Sequence, residues 1–138
     1  MIISISRFSD FTKCKIHYSR SETTYTTFFE VPEENELNDT LLDFHFSVLA
    51  RRDAHILFAP SDNLTSYDPV YEIVLGAGGN TFCAIRKLQK TNVKASRYIN
   101  DILSAVDVRS FWVHIFKGNL YCCISCIKYL SFSNINIK

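Results

Sequence analysis

Leu42-Asp43-Phe44-His45-Phe46-Ser47-Val48-Leu49-Ala50 alternates apolar and polar side chains almost without a break. An extended strand sends successive side chains to opposite faces. Leu42, Phe44, Phe46 and Val48 then form one face, and Asp43, His45 and Ser47 the other. A one-residue slip would turn the apolar set to water, so the core fixes this phase and the polar set should face out. Arg51-Arg52-Asp53 follows, just long enough to close a hairpin to Ala54-His55-Ile56-Leu57-Phe58, and the two segments are expected to pair antiparallel. By the same alternation Ala54, Ile56 and Phe58 pack inward and His55 faces out.

The same period recurs on both sides of this unit. Tyr25 to Val31 alternates, and Pro32 to Asp39 is an acidic, turn-forming stretch that reads as a solvated loop. Pro60 to Pro69 is rich in Ser, Asp, Asn and Pro, and leads into the apolar run Val70 to Leu75, where Tyr71, Ile73 and Leu75 oppose Glu72. After Gly76-Ala77-Gly78-Gly79-Asn80, Thr81 to Leu88 reads as a return strand or as a short helix, and its flanking Gly and Thr favour the strand. Ser96 to Val106 is the best helical window, with Ser96 as cap and Ile99, Ile102, Leu103 and Val106 on one face. Phe111 to Phe116, reversed by Lys117-Gly118-Asn119 into Leu120 to Ile124, is a strong hairpin. Phe111, Val113 and Ile115 share one of its faces. Trp112, His114 and Phe116 share the other, which is unusually aromatic for a solvated surface; burial by the second sheet of a sandwich is favoured there over a ligand platform.

Composition agrees with strands. Eleven Phe and seven Tyr suit a pleated, half-buried surface, while one Met does not suggest helices. The fold expected is all-β: an antiparallel β-sandwich of about eight to ten strands, formed by one domain over residues 1–125, with 126–138 an atypical tail lacking a clean period. Fifteen basic residues against fourteen acidic ones leave no electrostatic footprint for nucleic acid. No apolar run approaches the length of a membrane span, and Met1 to Phe11, with Arg7 and Asp10, is not a convincing signal peptide. Neither nucleic acid nor membrane is expected as a partner, and the compartment, cytoplasmic or secreted as part of a larger protein, stays open. Five cysteines, an odd number, argue against a disulfide framework. Sequons stand at Asn38 and Asn63.

Few residues fall into a catalytic pattern. Gly76 to Asn80 follows a strand as a phosphate-cradling turn would, but Thr81 stands where a dinucleotide fingerprint needs its third Gly, and Val74 where an S-adenosylmethionine loop usually has an acidic residue. A Gly-rich connection between strands is favoured. His17, His45, His55 and His114 lie on separate segments without the spacing of helical metal sites, and Cys123-Ile124-Ser125-Cys126 has no second pair to complete a zinc site. No serine sits in a G-x-S-x-G elbow. No catalytic residue, metal or cofactor is assigned.

Taken in order, Asp53-Ala54-His55-Ile56, Tyr71-Glu72-Ile73-Val74-Leu75-Gly76, Gly79-Asn80-Thr81 with Ile85-Arg86, and Phe111-Trp112-Val113 resemble the farnesoic acid O-methyltransferase domain family over about Tyr25 to Asn119. Gly78 stands where the family usually has Trp in its Gly-Gly-Trp-Gly-Asn stretch, and the Gly-rich continuation after Asn119 is replaced by a Cys-rich, truncated-looking tail. The resemblance implies a domain found in arthropod proteins and as a module in extracellular and immune-related proteins. Its name implies methyl transfer from S-adenosylmethionine to farnesoic acid in juvenile hormone synthesis. Lacking a cofactor loop and βα repeats, the residues favour a non-catalytic binding module for a glycan, small polar ligand or protein surface, self-association included, with the methyltransferase as the alternative.

If the domain binds, the ligand residues expected are Asp53, His55, Tyr71, Glu72, Gly78, Gly79, Asn80, Arg86 and Trp112. Together they offer carboxylates, an imidazole, backbone N–H groups and a guanidinium beside aromatic rings, which a sugar needs for hydrogen bonding and stacking. The competing reading is structural: Asp53 caps a turn, Gly and Asn80 take left-handed backbone, and Arg86 pairs with Glu72 across strands.

Overall fold

The computed structural model describes residues 2–6, 15–18, 40–59, 61, 63–65, 68, 70–87, 92–116, 119–124 and 128–133. The strand expected at Tyr25 to Val31 and the acidic loop after it lie outside them. The described residues hold ten strands: β1 (Ile2–Ser6), β2 (Lys15–Tyr18), β3 (Thr40–Leu49), β4 (Ala54–Phe58), β5 (Tyr71–Gly76), β6 (Phe82–Lys87), β7 (Asn92–Tyr98), β8 (Arg109–Phe116), β9 (Asn119–Ile124) and β10 (Lys128–Ser133). One four-residue helical turn, α1 (Ala77–Asn80), joins β5 to β6. The strands form two antiparallel sheets, one in the order β10-β9-β8-β3-β1-β2 and the other β4-β5-β6-β7, so the all-β sandwich expectation holds.

The core is shared between the sheets. Phe46, Val48, Phe111, Val113, Ile115 and Leu120 from the larger sheet meet Tyr71, Ile73, Leu75 and Ile85 from the smaller one, with Ile102 and Leu103 closing one side. Fully burying such an aliphatic side chain contributes roughly 1.5–3 kcal/mol. The Phe46 and Phe111 rings stack with centroids 5.5 Å apart. The alternation read in β3, β4, β5 and β8 therefore has the phase expected.

One pairing differs from expectation. β3 and β4 do not form a hairpin: β3 pairs with β1 and β8, β4 pairs with β5, and residues 51–53 carry the chain from one sheet to the other. The eight-residue β8 matches the ten-residue β3 along its apolar face far better than the five-residue β4 could. The crossing is fixed at both ends, where the Ala50 N–H donates to the Ser104 carbonyl and the Asp53 N–H to that of Gly76, Asp53 itself sitting at φ 55°.

The helix expected at Ser96 to Val106 is absent: residues through Tyr98 belong to β7, and an irregular loop follows. Ile99, Ile102 and Leu103 do pack on the core, but Val106 is exposed. The N–H groups of this stretch are bonded to the turn before β6 instead, Ile99 donating to the Thr81 carbonyl, Asp101 to the Asn80 carbonyl and Leu103 to Asn80 Oδ1, the last two being groups a helix would use internally. Beyond residue 125, where an atypical tail was expected, Lys128–Ser133 forms β10 on the edge of the larger sheet, paired with β9. The Phe111 hairpin forms as read, with Phe116 opposite Asn119, and Thr81 to Leu88 contributes strand β6.

Candidate functional site

The smaller sheet has its core face built from Ala54, Ile56, Tyr71, Ile73, Leu75, Cys83 and Ile85. Alternation puts His55 and Leu57 of β4, Glu72 and Val74 of β5, and Phe82, Ala84 and Arg86 of β6 on the opposite face. Across this outer face Leu57 stands opposite Glu72 and Glu72 opposite Arg86, while His55 stands opposite Val74, one diagonal step from Glu72. Three polar side chains from three neighbouring strands thus converge.

Glu72 is at the centre and is fully buried. Its Oε1 lies 3.0 Å from His55 Nδ1, and its Oε2 lies 3.4 Å from Arg86 Nη1. A carboxylate only accepts, so Nδ1 carries the proton and, in the neutral ring, Nε2 is left as an acceptor. The His55 side chain is 34% exposed and that of Arg86 18%, so both reach from the buried carboxylate toward solvent. Arg86 Nε is buried without an acceptor among the described residues. Glu72 lies on the face opposite Tyr71, Ile73 and Leu75, as the alternation has it, yet it and its neighbours Val74 and Ala84 are buried there, and only His55 and Arg86 keep partial access to water. Burial of a carboxylate is tolerable because donors from both flanking strands compensate it.

The other six expected ligand residues are not drawn into this cluster. Tyr71 is 0% exposed and points into the core. Trp112 lies on the other sheet, on the face away from the core, where its ring meets His45 edge-on at 5.0 Å. That face is not buried by the smaller sheet as expected, since Phe111, Val113 and Ile115 take that role and leave Trp112 and His114 half-buried. His45, expected to be solvated, is buried beside Trp112. Asp53 is exposed at the start of β4, 3.6 Å from Arg52 Nε.

Gly78, Gly79 and Asn80 belong to the α1 turn. All three have positive φ, and Gly76 before them stands at φ 66°. The Asn80 amide is spent on the fold: Nδ2 donates to the Leu103 carbonyl at 2.8 Å and Oδ1 accepts the Leu103 N–H at 3.0 Å. This turn lacks the helix behind it that a phosphate cradle needs, as the chain goes straight into β6.

One feature of the outer face escaped the sequence reading. β6 pairs β7 with Arg86 opposite Val93, Ala84 opposite Ser96 and Phe82 opposite Tyr98, a bulge at Ile85/Arg86 shifting the register. Val93, Ser96 and Tyr98 therefore share the face of His55 and Arg86. Tyr98 is 83% exposed, its ring 5.8 Å from that of Phe82. The signal was the alternation of Ser96 and Tyr98, masked by the helical spacing of the residues just after them.

The described residues contain no group of three or more His, Cys, Asp or Glu placed to hold a metal ion, and no helix among them is long and apolar enough to cross a membrane. With the geometry fixed, the sequence resemblance has an independent counterpart: the family model described as farnesoic acid O-methyltransferase matches residues 21–135. The chain belongs to that family. The match extends past Asn119 through β10, so the C-terminal strand is within the family's span. No curated protein and no solved structure matches the chain.

Proposed function

We propose that this member of the farnesoic acid O-methyltransferase family is a non-catalytic recognition module, and that His55 and Arg86, held by Glu72, contact a hydroxyl-bearing ligand such as a glycan. The observation that carries this reading is the placement of Glu72. A fully buried carboxylate on the outer face of a sheet, bonded to an imidazole and a guanidinium that both reach solvent, fixes the orientation of an acceptor and a set of donors side by side. Ligand recognition gains most from polar groups held in place before binding.

The family's description carries the competing reading, S-adenosylmethionine-dependent methylation of farnesoic acid. Against it stand the use of the Asn80 amide by Leu103 and the short connection from α1 into β6, which leave the Gly-rich turn with a structural task. Two measurements separate the readings. On a glycan array the wild-type chain should be captured, and His55→Ala and Arg86→Lys should lose capture while remaining folded by circular dichroism. Calorimetric binding of S-adenosylmethionine, or methyl ester formed from farnesoic acid, would overturn the recognition reading.

A further inference from the structure

We propose that the outer face of the larger sheet, along β8 from Ser110 to His114 and beside Tyr121 of β9, docks a proline-rich segment in the polyproline II conformation. This face lies on the far side of the sandwich from the His55 cluster, so the proposal stands apart from the recognition reading above. The register sets Ser47 opposite Ser110, His45 opposite Trp112 and Tyr121 opposite His114. Unlike the outer face of the smaller sheet, where Val74 and Ala84 are closed, the strip is open along its length: Ser110 is exposed, and Ser47, Trp112, His114 and Tyr121 are half-buried. Its rings are held in place. Buried His45 meets the Trp112 ring edge-on at 5.0 Å, and the His114 and Tyr121 rings lie 6.3 Å apart.

Size, charge and hydrogen bonding together select the occupant. The strip runs about 13 Å along β8 and about 10 Å across three strands, a small fraction of the roughly 800 Å² a side that a stable interface between folded proteins buries. A polyproline II segment rises about 3.1 Å per residue, so roughly four residues cover that length, and its preformed backbone lets a small contact suffice. Of the residues that alternation puts in these rows of β3, β8 and β9, only Asp43, opposite His114, is charged, which suits an uncharged partner. The groups on offer are donors. The Trp112 indole N–H and the Tyr121 hydroxyl meet no hydrogen-bond partner among the described residues, and an indole can only donate. Ser47 and Ser110 share one bond at 3.0 Å, in which one hydroxyl donates and the other keeps its hydrogen for an outside acceptor. A proline-rich chain is their complement, since its carbonyls are unbonded and its prolines have no N–H to satisfy. Trp112 and Tyr121 stand on a diagonal of the β8–β9 ladder, about 7–8 Å apart, where two rings can flank a pyrrolidine between them.

The chain has a single tryptophan, so the emission of Trp112 reports on this face directly. Titrating the full chain with decaproline should shift that emission saturably, while a glycine–serine decapeptide should leave it unchanged. Tyr121→Ala should raise the dissociation constant about tenfold, through the lost ring contact. Ser110→Ala, at an exposed position and so with an unchanged melting temperature, should raise it about threefold, the worth of one hydrogen bond. His55→Ala should not alter it. The inference is overturned by the absence of a saturable shift, or by a shift equally strong in Tyr121→Ala and Ser110→Ala. An equal response to the glycine–serine peptide would overturn it too, and a response to neutral oligosaccharides in place of decaproline would hand the face to sugars. Glycan capture that depends on His55 is measured separately, so any of these failures leaves the recognition reading standing.

Discussion

Asn80 grips the backbone of Leu103 with both ends of its amide, donating at 2.8 Å and accepting at 3.0 Å, across a gap of 23 residues in the chain. This bond pair pins the loop after β7 to the turn before β6. Removing it with Asn80→Ala should cost about 1–3 kcal/mol, since two buried backbone groups lose their partners. Gly76→Ala should be at least as damaging, because a Cβ there would lie 2.6 Å from Asn80 Oδ1 and 2.9 Å from Leu103 Cδ1 at φ +66°. Gly79→Ala, at φ +77° with nothing within 4 Å of the added carbon, carries only the backbone term of about 1 kcal/mol. Urea unfolding of the three variants should give that ranking, and equal losses at the two glycines would refute the clash.

Glu72→Ala should destabilise the fold by on the order of 3 kcal/mol, because it strands Arg86 and His55 beside a buried void. Glu72→Gln keeps the volume and an acceptor for His55 and should lose less. The discriminating readout is the His55 Nε2 resonance by NMR. It should move in both variants if Nδ1 is bonded to Oε1, and stay still if that bond is absent.

Cys83 is 2% exposed, and burial raises its thiol above the ordinary value against the opposing charge of Arg97. At pH 8 the group is therefore a neutral, inaccessible thiol and a poor nucleophile. Peptide-level mass spectrometry after maleimide treatment should find Cys83 unlabelled in the native protein and labelled at the rate of unfolding in urea. Labelling at the rate of a free peptide would contradict its place in the core.

Asp68 accepts two bonds from Thr65, one from the backbone N–H and one from the hydroxyl, and both lower its carboxyl below the ordinary 3.8. A carboxyl depressed by folding adds stability above its unfolded value, and that contribution is lost as the pH falls through the lower, folded value. The Thr65 amide resonance should titrate with a midpoint below 3.8 and stop titrating in Asp68→Asn. A midpoint at or above 3.8 would exclude the bonded geometry.

Where strands are adjacent both in sequence and in space, the sequence was legible. β5 to β6 and β8 to β9 follow from alternation and from Gly and Asn in the connections. β3 and β4 misled for the same reason, since alternation fixes which face is apolar but not which sheet a strand joins, and three residues suffice for a hairpin or for a crossing. The helical reading of Ser96 to Val106 failed because Ile99, Ile102 and Leu103 reach the core from an irregular loop held by Asn80 and Thr81, a tertiary arrangement that mimics helical spacing. At the site, Glu72 and Arg86 were legible as a cross-strand pair, and His55 as the outward residue of its strand. Tyr71 and Trp112 were not separable from them, because an aromatic ring is equally at home in a core and on a binding face.

The crossing at residues 51–53 also sets an order of assembly. Among the described residues β4 to β7 pair only with their neighbours in the chain, so that sheet can zip up through short loop closures. The β3 to β8 ladder instead encloses the whole of that meander, and its closure is entropically costly until the meander has collapsed. Pulsed hydrogen exchange during refolding should therefore protect the amides of Ile73 and Ile85 before those of Phe46 and Val113. The reverse order would mean that the long-range ladder is the nucleus, and that the meander forms on it as a template.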